Sequence, residues 1–414
     1  MPKHLIAIPF HDWRKCIREG FRTRDAHLIE AFTRGEDFDK VLVVSRPITP
    51  LELALHRESR DSGLRVMLAG PSWHVFQDDR GCYVFEYFDS DVLGQILYGK
   101  SWFFRAYGSV RMLRALLAAL TSLEMEQPIA LSMNIRSARL TAQLAARGIP
   151  VAFDGFDNWL RFPLGRAERR WVERSYASYA EVAQVWFTNS ESNSVAFEQQ
   201  YGVRPCVVVP NGVDFGRFKG SFGEPQLFGQ VRRPRVFFGG KITHLFDSAL
   251  FNEVAGQLGH IQFVLAGQIL DRAVWRRIQK HPNVHYLGDV HYDEYPAYVA
   301  ASDACILPYV RDENSHGGNS IKLYEYAAAG KSTVSTEGNG AGAMSTFVTI
   351  ANSPDEFAKA VVDAVEAGQP TERAYEDGFS WDERARAIAH RMMEMSEGSR
   401  SKQSPPLQAE AGNG

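Results

Sequence analysis

At 414 residues the chain is too long for one ordinary core and about right for two domains of roughly 200 residues each. With 45% hydrophobic, 23% charged and 12% aromatic residues it has ample apolar surface to bury, which excludes disorder for its body. Lys plus Arg number 46 against 49 Asp plus Glu, a net charge of −3 that leaves no global basic field to hold nucleic acid.

The first apolar run, Leu5 to Phe10, is too short for a signal-peptide core, and no run reaches the roughly 18 residues of a spanning helix. Cys16, Cys82, Cys206 and Cys305 are scattered with no C-x-x-C pair, which argues against a disulfide framework or zinc site and for the reducing cytoplasm. Leu5–Phe10 reads as a buried strand, followed by a loop to Asp25 dense in polar and basic groups. After a second strand, Val41–Ser45, the run Val75 to Phe88 reads as a hairpin turned at Asp78 to Gly81. It leads to Asp89-Ser90-Asp91, whose spacing of oxygen ligands suits Mg or Mn but arises easily by chance in loops.

Residues 92–123 contain Lys100, Arg105, Arg111 and Arg114 but no acid, interleaved with Trp102, Phe103, Phe104 and Tyr107. Such a mixture suits an interfacial helix on anionic lipid; the alternative is a core helix packing Leu113, Leu116 and Leu117 on the sheet. Strands follow at Ile129–Met133, Pro150–Phe153, Gln184–Thr188 and Cys206–Val209. Asp154 and Asp157 stand at the carboxyl end of the second of these, where a carboxylate either faces a cleft or caps a turn.

The stretch 213–234, rich in Gly, Phe and Pro, has no period and reads as a linker between domains 1–212 and 235–379. The strand–helix alternation then restarts with Arg235–Gly240, Ile261–Gly267, Val284–Gly288, Asp303–Pro308 and Ser332–Ser335, the habit of doubly wound α/β domains. Ser380-Trp-Asp-Glu383 fits a capping box opening a helix over about 380–396, which is expected to pack back on the first domain, with 397–414 a disordered tail. In the second half Gly317-Gly318 directly precedes a helix beginning near Asn319, so backbone N–H groups and the helix end can approach an anion, with Lys322 in the first turn and Glu325 on the same face.

The segment Asn319-Ser-Ile-Lys-Leu-Tyr-Glu-Tyr-Ala-Ala-Ala-Gly-Lys331 resembles the donor-binding segment of family 4 and related GT-B glycosyltransferases, nearest to the teichuronic-acid and exopolysaccharide branch. Pro210-Asn-Gly-Val-Asp-Phe-Gly-Arg-Phe218, Pro282-Asn-Val-His-Tyr-Leu-Gly288, Ala300–Pro308 and Ser380–Ala385 resemble further parts of the same enzymes. The resemblance implies two Rossmann-like domains facing each other across a cleft, and transfer of a sugar from a nucleotide-sugar, UDP- or GDP-linked, to a hydroxyl of a glycan, lipid-linked or small-molecule acceptor. It implies no cofactor and no metal, so Asp89 and Asp91 are not expected to be ligands as they would be in a GT-A enzyme.

By the same resemblance Glu325 contacts the ribose; Gly240, Lys241, Lys322, Gly317, Gly318, Asn319 and Ser320 surround the diphosphate; and Val290 and Tyr292 stand where the base is held. The family's first glutamate position is Gly317 here, which leaves the sugar contact unassigned. The acceptor is expected at His11, Asp12, Arg22 and Arg24, either arginine suiting phosphate or carboxylate unless it joins a salt-bridge network with Glu19 and Asp25. By analogy with inverting GT-B enzymes Asp157, or failing it Asp154, is the candidate base. A nucleotide-sugar epimerase, or a non-catalytic nucleotide-sugar-binding protein, is the alternative on the same fold.

Overall fold

The structure is a computed structural model and describes residues 4–60, 65–311, 318–368 and 377–401. Its first sheet holds β1 (His4–Ile8), β2 (Lys40–Val44), β3 (Val66–Gly70), β4 (Trp73–Gln77), β5 (Tyr83–Tyr87), β6 (Ile129–Ser132), β7 (Val151–Asp154), β8 (Val185–Thr188) and β9 (Cys206–Val208), in the order 3-4-5-2-1-6-7-8-9. Alternate residues of β1 enter opposite cores: Leu5 and Ala7 pack on one face, Ile6 and Ile8 on the other. Because helices cover both faces, a central strand is apolar at nearly every position, which is why these runs read as strands. The helices that matter below are α1 (Trp13–Glu19), α2 (Arg24–Arg34), α3 (Pro50–His56) and α4 (Val92–Tyr98).

The hairpin expected over Val75 to Phe88 is β4–β5, closed by Asp78 N donating to Cys82 O at 2.9 Å, and β3 extends it to an antiparallel meander at the sheet edge. Residues 92–123 do not form one interfacial helix. They divide into α4, a short turn region and a helix over Val110–Ser122; Trp102, Phe104 and Tyr107 are buried, and Leu113 and Leu116 pack on the sheet. Asp91 caps α4, its Oδ1 accepting from Gly94 N at 2.9 Å and its Oδ2 from Trp102 Nε1 at 3.0 Å, so its oxygens are already committed.

The second sheet is parallel throughout: β10 (Arg235–Gly239), β11 (Gln262–Ala266), β12 (Val284–Tyr286), β13 (Ala304–Leu307), β14 (Thr333–Ser335) and β15 (Val348–Ile350), in the order 12-11-10-13-14-15. The stretch 213–234 is not a free linker, because Phe218, Phe228 and Val231 are buried in this second core. The C-terminal helix, Trp381–Ser401, returns to the first domain, where Trp381, Ala385, Ile388, Ala389 and Met392 join the core beside β1. It runs past the expected end near 396, since each added residue of an established helix costs little for the hydrogen bond it gains; the remainder of the expected tail lies outside the described residues.

Strand order reverses between β1 and β6 in one sheet and between β10 and β13 in the other. Open α/β sheets bind ligands at the carboxyl ends of strands at such switch points. Here the two switch points face one another.

Candidate active site

Between the facing strand ends lies a cavity of about 350 Å³ lined from both domains. The second domain contributes the turn after β10, Gly239-Gly240-Lys241, the loop after β12 with Asp289, Val290 and Tyr292, and the start of the helix Ile321–Ala328. A β-carbon on Gly240 would lie 2.0 Å from Lys322 Cε, so glycine is what lets the Lys322 stem cross this strand end. Lys241 stands beside it, its pKa lowered by burial and by the charges of Lys15, Arg22 and Lys322. Ser320 caps the helix without a side-chain hydrogen bond, leaving the helix end to face the cavity. Two ammonium groups and a helix N-terminus line one wall of the cavity. An anion is what such a wall holds.

Glu325 is 4% exposed, and burial raises its pKa; Tyr292 OH donates to its Oε1 at 2.7 Å. Tyr292 was expected beside a base, but it is itself buried, stacked on Tyr295, with its hydroxyl committed to Glu325. Its part is to hold Glu325 in place. Gly318, Asn319 and Val290 line the same cavity, whereas Gly317 lies outside the described residues.

The first domain contributes His11, Arg22, Thr23, Arg24, Phe156, Asp157, Asn189 and Asn211. His11 Nδ1 lies 3.0 and 3.1 Å from the two oxygens of Asp25, whose Oδ2 also accepts from His11 N at 2.9 Å. Burial works against the ionised form of Asp25, yet His11 and Thr23 hold it well below the usual carboxylate range. A fixed carboxylate on Nδ1 sets the tautomer that leaves Nε2 as a proton acceptor. The sequence offered His11 as a polar loop residue but gave no sign of this pairing, which needs α2 folded back over the end of β1.

Asp157 is half-buried across the cleft from Gly318, where a β-carbon would lie 3.8 Å from its Oδ1. Burial pushes its pKa up to about 6, with Asp154 adding to the rise and His11 and Arg24 opposing it. Asp154 does not reach the cavity. It is 1% exposed, its Oδ2 accepting from Arg24 Nε at 2.9 Å, so its role is to anchor that arginine. Arg24 Nη1 in turn donates to Asn211 Oδ1 at 3.0 Å, and Asn211 N to Asn319 Oδ1 at 3.0 Å. A buried polar chain therefore runs from β7 to the helix over the second sheet.

The three remaining residues expected at the acceptor already have partners. Arg24 lines the cavity with its charge already matched by Asp154. Asp12 lies outside it, capping α1 by accepting from Lys15 N at 2.7 Å and pairing with Arg46 at 2.9 Å. Arg22 lines the cavity but binds Glu19 and, at 2.7 and 3.1 Å, both oxygens of Asp289 in the opposite domain.

Residues 235–367, which carry the anion-binding groups and Glu325, match the family model described as glycosyl transferases group 1. That match lies wholly within the second domain. The chain has the GT-B fold. It is similar to the sucrose-phosphate synthase of Thermosynechococcus elongatus at 13% identity and a TM-score of 0.60, covering 97% of this chain and 100% of that one. It is similar as well to Anabaena HepE in complex with UDP, at 15% identity and a TM-score of 0.58, with 97% and 99% covered. An E. coli trehalose-6-phosphate structure bound with UDP-2-fluoroglucose superposes at 13% identity and a TM-score of 0.58, over 97% and 99% of the chains. No curated sequence matches. The enzyme class is glycosyl transfer.

Proposed function

We propose that this glycosyltransferase moves a sugar from a UDP-sugar to a hydroxyl of a glycan, lipid-linked or small-molecule acceptor, in the cytoplasm and with no metal. The observation that carries the proposal is one cavity whose two walls differ in chemistry: cations, a helix end and Glu325 on one side, His11–Asp25 and Asp157 on the other. UDP is favoured over GDP because two of the similar structures hold UDP or a UDP-sugar. Membership of family 4, or of its exopolysaccharide branch, belongs to the same proposal.

The diphosphate lies against Lys241, Lys322 and the amides that open the helix Ile321–Ala328, and Glu325 accepts from the ribose hydroxyls. His11 Nε2 takes the proton of the acceptor hydroxyl as its oxygen bonds to the anomeric carbon. The bond from that carbon to the phosphate oxygen breaks, and the nucleoside diphosphate leaves with the electron pair. Lys241 and Lys322 neutralise the charge that develops there. Attack from the face opposite the leaving group inverts the anomeric centre.

A second reading makes Asp157 the base, favoured by its pKa near neutrality and its place opposite Gly318. His11→Ala and Asp157→Asn distinguish the two: loss of the base lowers turnover by about 10² to 10⁴ with UDP affinity retained. Asp25→Asn follows His11→Ala only in the first reading. A product that keeps the donor's anomeric configuration, seen by NMR, defeats both. Epimerised donor without transfer would indicate the epimerase, and UDP binding without turnover the non-catalytic binder.

A further inference from the structure

The most exposed aliphatic side chains of the first domain gather on α4. Leu93, Ile96 and Leu97 are 74, 61 and 77% exposed and Tyr98 is 48% exposed, while Gly94 is the residue this helix turns inward. Gln95 ties α4 to α3, accepting from Thr49 Oγ1 and donating to Glu52 Oε2, and α3 adds Leu55, which is 73% exposed. Two cations border this apolar surface: Lys100 follows α4 directly, and the Arg105 guanidinium lies 4.5 Å from the Tyr98 ring centre. Arg111 and Arg114 are exposed one turn apart on the helix that follows. Asp89 and Asp91 precede the helix, the first half-buried and the second committed as its cap. From Val92 to Leu123 there is no acidic residue.

The position of α4 in the fold gives this surface a direction. β5 pairs in parallel with β2, and β2 with β1, so the connection after β5 that forms α4 leaves the same edge of the sheet as His11 after β1. The apolar tip and the cleft therefore open toward the same end of the first domain. Among the described residues no helix is long and apolar enough to cross a membrane.

We infer that α4 docks the protein on an anionic phospholipid bilayer, with Leu93, Ile96, Leu97 and Tyr98 entering the boundary between headgroups and chains and Lys100, Arg105, Arg111 and Arg114 meeting lipid phosphates. The contact is narrower than the interfacial helix expected from the sequence, since the neighbouring aromatic rings are spent on the core. A second copy of the chain fits this surface poorly: a two-fold contact sets Lys100 and Arg105 against their own copies. Docking does not depend on the transfer reading, but together with that reading it makes the acceptor a lipid-linked one, delivered at the cleft side.

The test is sedimentation of the full chain with vesicles of phosphatidylcholine alone and of phosphatidylcholine with about 30% phosphatidylglycerol, at about 0.05 and 0.5 M salt. The wild type is expected to bind the anionic vesicles at least about tenfold more tightly, and to lose most of that binding at high salt. The combined variant Leu93→Ser, Ile96→Ser, Leu97→Ser changes exposed positions only; it is expected to keep its melting temperature and UDP-induced thermal shift while binding vesicles at least about tenfold less tightly. A wild type that stays in the supernatant with anionic vesicles at low salt overturns the inference, as does a variant that sediments like the wild type. A wild-type dimer that the variant abolishes, with no vesicle binding by either, assigns the surface to self-association instead. Loss of the UDP shift in the wild type would overturn the transfer reading and leave docking to be judged by the vesicles alone.

Discussion

Glu325 and Asp157 are carboxylates in one cavity, and their surroundings give them different work. Glu325 is buried, and Tyr292 donating to its Oε1 fixes the direction of the carboxylate. Replacing Glu325 by Ala is expected to weaken UDP binding by about 2 to 3 kcal/mol, and Tyr292→Phe by about 1 kcal/mol, the scales for charged and neutral hydrogen bonds. Titration calorimetry checks both, and unchanged UDP affinity in Glu325→Ala refutes the ribose contact. Asp157 has its pKa raised from 3.8 to about 6. Between those values the folded chain holds a proton that the unfolded chain has lost, so the stabilisation present below pH 3.8 disappears as pH rises through about 6. At pH 7 the ionised Asp157 costs about 1 to 3 kcal/mol of stability, and Asp157→Asn should raise the urea midpoint there but not near pH 3.5. An equal effect at both pH values would remove burial of the charge as its cause.

At the level of elements, what the sequence disclosed follows from how each element is buried. The central parallel strands, apolar at nearly every position, were legible within a residue or two; β3, with its alternation of half-buried and exposed residues, and β15, three residues at the sheet edge, carried too little pattern. In the site, Gly240, Lys322 and Glu325 could be picked out because local glycine and helix signals mark them. The pairs His11–Asp25, Arg24–Asp154 and Tyr292–Glu325 could not, because each joins different elements and no local rule relates their members. The same holds for His27 of α2, which stacks on Trp381 of the C-terminal helix at 5.0 Å and meets the Tyr292 ring edge-on. Burial, aided by Arg217, drives its pKa down to about 3 from 6.5. The unfolded chain therefore takes up a proton that the fold refuses, and stability should fall by about 1.4 kcal/mol per pH unit below pH 6.5. His27→Phe keeps an aromatic ring between the two helices and should flatten this slope in urea titrations between pH 6.5 and 4; an unaltered slope would place the acid sensitivity elsewhere.

Across the whole molecule, polar contacts between the two domains ring the cavity mouth. Arg22 grips both oxygens of Asp289, Gln268 Nε2 donates to Glu19 Oε1 at 2.6 Å and to Asp289 Oδ2 at 2.8 Å, and Tyr292 N donates to Glu19 O at 3.2 Å. Gly20, at φ 81°, lets the backbone pass against His291 and Tyr292, where a β-carbon would lie 2.8 Å from each. Polar contacts of this kind release more readily than an apolar interface, so relative motion of the domains is the natural expectation. The site needs both domains, since its anion-binding groups and its proton acceptors stand on opposite walls. Arg22→Ala and Asp289→Ala should then each raise the KM for donor and lower kcat together, by about three- to thirtyfold, as changes at a closing contact do. Arg22→Lys should not rescue, because a lysine cannot reproduce the paired hydrogen bonds of the guanidinium. Both single variants disturb Glu19 and Gln268 as well, so the decisive quantity is the coupling from the double-mutant cycle. A coupling of about 1 kcal/mol in kcat/KM would show that the pair acts as a latch on closure. Additive losses, with no coupling, would mean that Arg22 and Asp289 contribute separately to the cavity wall and that closure is held by other contacts.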